Sequence, residues 1–103
     1  MLAELRELAE AMPVPQPAWH PHVRLIVRVR DELLAGIDRL EALPDGEERA
    51  ERLLGVELEP QPGSALAELP VPEGEHPFLG EILAVLEAGR LVQTALAAAS
   101  LTV

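Results

Sequence analysis

The stretch PHVRLIVRVRDELLAGIDRLEALPDG, residues 21–46, decides the fold. At about 100° per residue, Val23, Leu25, Ile26, Val27, Val29, Leu33, Leu34, Ile37, Leu40 and Leu43 share one arc roughly 200° wide. Arg24, Arg28, Asp31, Glu32, Asp38 and Arg39 take the other side. The alternation of Val23, Leu25, Val27 and Val29 would also suit a strand. The helical period runs on to Leu43, however, and that is too long for a strand. Pro21 fits a first helical turn, and Pro44 with Asp45-Gly46 stops the helix. A helix over 21–43 is therefore expected.

The same reasoning extends in both directions. Leu2, Leu5, Leu8, Ala9 and Met12 form one stripe, with Glu4, Arg6, Glu7 and Glu10 opposite, so 1–12 reads as an amphipathic helix. PVPQPAWHP follows and cannot be helical. Asp45 followed by Glu48 has the form of a capping box that opens a short helix to about Leu54, with Gly55 ending it. Glu48 and Arg52 are a favourable pair one turn apart. Residues 56–75, with Pro60, Pro62, Pro70 and Pro72, form a long loop with a helical turn near Ser64–Glu68. Residues 77–100, opened by Pro77, form the last helix. Its large apolar residues spread nearly all round, its alanines fill the rest, and no charge follows Arg90. Such a helix must be buried on every side.

These elements define an all-α fold: one domain over 1–103, a small bundle of about four helices, two long and two short, with proline-rich connections. At an offset of 56, Val23, Ile26, Val27 and Val29 align with Leu79, Ile82, Leu83 and Val85, a weak repeat consistent with a duplicated helical hairpin.

Composition limits the chemistry. The chain has 103 residues and no cysteine, which excludes disulfides, thiolate metal sites and a cysteine nucleophile. All 8 basic side chains are arginine, and lysine and tyrosine are absent, so neither can act in catalysis. A serine nucleophile would have to be Ser64 or Ser100, neither in a recognisable setting. The net charge of −10 argues against nucleic-acid and anionic-membrane partners. Glu87 and Arg90 interrupt the longest apolar run, and the acidic N-terminal stretch is unlike a signal peptide, so a cytoplasmic location is expected. The arginine-, alanine- and proline-rich composition fits a heat-adapted source and fits codon bias equally well.

The candidate sites are few. His20, His22 and His76 are the only imidazoles and would suit a metal such as zinc if they converged, as in a small metal-dependent hydrolase. Otherwise His20 and His76 are polar residues before the prolines that open helices. Glu47, Glu48 and Glu51 read as a solvated helix face in a chain with 15 glutamates. Arg30 falls inside the apolar arc of the central helix and must reach water or a carboxylate; Glu81 and Glu87 are the proposed partners. Trp19, the only tryptophan, reads as a cap on the core or as an anchor for a partner, the cap being favoured. No cofactor is implied. The charge-free C-terminal helix is a poor monomer surface. The expectation is a non-enzymatic interaction module that self-associates, or binds another protein, through Leu91, Val92, Ala95, Leu96 and Ala99.

Overall fold

The computed structural model describes residues 1–12, 23–69 and 79–101. They form five α-helices: α1 (Leu2–Ala11), α2 (Val23–Glu41), α3 (Gly46–Glu51), α4 (Ala65–Glu68) and α5 (Leu79–Leu101). There is no strand among the described residues. The all-α reading holds. α2 and α5 are the two long helices, and the turn expected near Ser64 is a one-turn helix in its own right.

The ends of the short helices follow from local hydrogen bonding. Ser64 caps α4: its hydroxyl accepts from the Ala67 N–H at 3.2 Å and donates to the Gln61 carbonyl at 2.7 Å. The capping box expected at Asp45 does not form. Asp45 makes no side-chain cap, and its carboxylate instead meets Arg49 Nε at 2.9 Å. The charge-assisted pair with Arg49 takes the oxygens that would otherwise accept from the helix N–H groups. The expected Glu48–Arg52 pair is present at 3.8 Å. Beyond Glu51 the chain tightens: the Leu53, Leu54 and Val56 N–H groups each bond to the carbonyl three residues back, and Gly55 takes a φ of 78°. Helical geometry therefore ends about one turn earlier than the sequence implies.

α2 and α5 pack side by side and run parallel. Arg28 lies 3.8 Å from Glu68, and Glu32 accepts from the Ala65 N–H at 2.6 Å, so the segment 61–68 runs antiparallel to α2. The same segment runs antiparallel to α5, because Leu66 packs at Gly89 and the Gln61 N–H reaches Gln93 at 3.0 Å. The direct contact agrees: a Cβ on Gly36 would stand 2.6 Å from Val92 Cγ1. Positions 36 and 92 differ by 56, the offset of the sequence repeat. Their contact puts the two long helices in that register.

α1 lies on the flank of α2 opposite α4. Arg6 donates to Asp38 and, at 3.0 Å, to Glu41, while the Leu2 N–H donates to Glu47 at 3.2 Å, which makes α1 antiparallel to α2. The core is where these helices meet. Ile26, Leu33, Ile37 and Leu40 from α2 and Ile82, Val85 and Val92 from α5 are fully buried. Each such side chain contributes about 1.5–3 kcal/mol. Gly46 is required at the turn into α3, since a Cβ there would run into the Leu40 carbonyl.

The small bundle buries most of α5 but not every side of it. α2 and α4 cover one side and α1 and α3 cover another, leaving Gly80, Glu81, Leu83, Glu87 and Ala98 exposed among its described residues. Despite Glu87 and Arg90, the segment Gly80–Ala99 is long and apolar enough to cross a membrane by length and composition. Of this window 44% is buried within the fold, and the core helix of a soluble protein has the same composition.

Candidate functional site

Among the described residues, a groove lies between α1 and α5. Met1, Leu5 and Leu8 form one wall. Ala84, Glu87, Ala88 and Leu91 form the other, and Leu54, from the turn after α3, stands at its edge. Spacing explains both walls. Positions 1, 5 and 8 share one face of α1, and 84, 87, 88 and 91 share one face of α5. The groove has a volume of about 230 Å³. That is below the roughly 300–1,000 Å³ of small-molecule pockets, and among the described residues Glu87 is the only ionisable side chain lining it. Leu54 is 62% exposed, and Val56 and Leu83 are also exposed, so apolar surface continues beyond the groove itself.

The groove has an acidic margin. The Met1 amine is ion-paired with Glu47, whose carboxylate also accepts from the Leu2 N–H. That pairing raises the amine pKa above its ordinary value, with smaller contributions from Glu4 and Glu51. The same contact holds the Glu47 carboxyl below its ordinary value. With the amine matched by Glu47, the carboxylates of Glu4, Glu51 and Glu87 have no ion-pair partner among the described residues.

The structure separates the sequence-derived candidates. Leu91, Val92 and Ala95, expected at a subunit interface, are at most 7% exposed and pack inside this chain's own core. Their burial against α1, α2 and α3 leaves them little surface for a second copy; Leu96 and Ala99 are partly buried. The proposed pairing of Arg30 with Glu81 or Glu87 is not formed. The Arg30 side chain is 25% exposed, and its ion pair is with neighbouring Asp31, at 3.7 Å. In the parallel register Glu87 projects from the flank of α5 away from α2. Glu81 lies about five residues, roughly 7.5 Å, below the level of Arg30. Arg30 reaches solvent along its own stem instead.

His20, His22, His76 and Trp19 lie outside the described residues. Among the described residues, no group of three His, Cys, Asp or Glu side chains is placed to hold a metal ion. Ser64 is a helix cap. The stripe that holds Leu5 and Leu8 is legible in the sequence, but the groove they line is not. The available signal was Leu54 and Val56 beside Gly55, two apolar residues in a turn with nothing nearby in sequence to cover them. Comparison with protein-family models, with curated proteins and with solved structures finds no match.

Proposed function

We propose that this chain is a helical docking module that binds the apolar face of a helix from another polypeptide in the groove between α1 and α5. The observation that supports this is an open apolar seat between two helices. Two facing ridges accept a third helix in the way helices pack generally. α1 has 10 residues, so the seat is about 15 Å long, three turns of a partner helix. A helix laid there would cover Leu54, and its apolar stripe would meet Leu5, Leu8 and Ala84.

Self-association through the C-terminal helix rested on its uncharged face, most of which lies within the fold. The reading therefore favours a separate partner over a second copy. The test is amide-shift mapping by NMR with a neutral amphipathic peptide of about 15 residues, leucines on one face and glutamines on the other. Shifts are expected in α1, at Leu54 and along the Ala84–Leu91 face, and Ala84→Glu should abolish them. Shifts confined to another surface, or none at millimolar peptide, would refute the proposal.

A further inference from the structure

The charges around the groove identify the kind of partner it fits. Resting on the docking reading above, we propose that the occupant is a basic amphipathic helix, with its apolar stripe on Leu5, Leu8 and Leu54 and its cationic flanks on Glu4, Glu51 and Glu87. Glu87 stands on the α5 wall. Glu4, three residues after Met1 and four before Leu8, lies on the groove side of α1, whereas Arg6 turns to the other flank and is held by Asp38 and Glu41. Glu51 and Glu4 both act on the Met1 amine at the end of the groove, and Glu47 neutralises that amine.

The nearest described cations are Arg49 and Arg52, which line a second cavity with Ala95 and Ala98, further along the same face of α5, and each lies beside an acid of its own helix segment, Asp45 and Glu48 respectively. Arg90 projects roughly 110° round α5 from the centre of the groove wall. Among the described residues the seat is therefore an apolar floor flanked by Glu4, Glu51 and Glu87, the neighbouring arginines being matched by acids of their own, within a chain of net charge −10.

A second copy is the poorer occupant for the same reason. A two-fold contact through this groove would set Glu4 and Glu87 of one copy against the same acids of the other. A partner with lysine or arginine beside its apolar stripe meets opposite charge at those positions. Its association is steered by them and weakened by salt.

The test compares three peptides of about 15 residues that share one leucine stripe and carry lysine, glutamine or glutamate on their other faces. Binding to the full chain is measured by calorimetry at low and high salt. The lysine peptide is expected to bind about tenfold tighter than the glutamine peptide at low salt and to lose that advantage at high salt; the glutamate peptide should be weakest. Glu4→Gln with Glu87→Gln, both exposed positions, should shrink the lysine peptide's advantage over the glutamine peptide at low salt. Equal affinity for the lysine and glutamine peptides would overturn the basic-partner inference and leave the docking reading standing. No binding by any of the three would overturn both. A dimer in analytical ultracentrifugation that Ala84→Glu disperses would show that a second copy fills the groove, and would also overturn the inference.

Discussion

Gly36→Ala should destabilise this protein, although alanine is the better helix former. In an exposed helix interior the replacement gains about 1 kcal/mol. At Gly36 the new Cβ would stand 2.6 Å from Val92 Cγ1 and 3.5 Å from Leu96 Cδ1. The first separation is shorter than real carbon contacts, so α2 and α5 must part or Val92 must leave its rotamer. Overpacking of this kind costs about 1–3 kcal/mol. The net expectation is a loss of about 1 kcal/mol, or a Tm lowered by about 4–8 °C. Gly80→Ala is the control: Gly80 is exposed, nothing lies within 4 Å of its added Cβ, and stability should rise by a few tenths to about 1 kcal/mol. Val92→Ala alone should cost about 2 kcal/mol through lost burial and a cavity. In the Gly36→Ala background it should cost about 1 kcal/mol less, because the truncation clears the collision. Urea unfolding followed by far-UV circular dichroism measures all four variants. If Gly36→Ala raised the midpoint as Gly80→Ala does, or if the double variant were simply additive, the Gly36–Val92 contact and the parallel register built on it would be wrong.

Two further outcomes follow from the polar contacts. Glu32→Ala removes the carboxylate that accepts from the Ala65 N–H at 2.6 and 3.1 Å, so stability should fall by about 1 kcal/mol and amide exchange should quicken at 65–69 but not in α1. The Met1–Glu47 pair should give stability a plateau with two shoulders. The depressed Glu47 carboxyl contributes fully above its ordinary 4.5, and this is lost as pH falls through the lowered value. The raised amine contributes fully below its ordinary 8.0, and this is lost as pH rises through the raised value. Glu47→Gln should remove most of the alkaline shoulder, Glu4 and Glu51 keeping a small part, and part of the acid one, since Asp45, held low by Arg49, still titrates on the acid side. An unchanged alkaline shoulder in that variant would show that the amine pair does not contribute.

Several features were legible before any coordinates. The helical period of 23–43 and the proline that follows it placed α2 to within two residues at each end. Ser64 ahead of an alanine-leucine run marked α4; the offset of 56 was legible as a weak repeat, but that it is also the register in which α2 and α5 meet was not. Other features were not legible, for specific reasons. Asp45 has both a backbone and a side-chain competitor for its oxygens, and the sequence does not rank them. Arg30 was paired with Glu81 and Glu87 from its place in the apolar arc, but pairing depends on axial level and on the facing flank, which a helical wheel does not contain.

The sequence by itself determined the helices, because a helix is held by bonds four residues apart and its stripe by a period of 3.6, and both are local. Which side of α5 faces which neighbour was decided only in three dimensions. That helix is apolar nearly all round, so its own pattern prefers no orientation. Glycine at position 36 lets α2 approach along one side, the Arg6 and Glu47 contacts hold α1 along another, and α4 closes a third. The groove is the space left between α1 and α5, and its acidic margin comes from residues of α1, α3 and α5. Residues so far apart along the chain meet only through long-range packing.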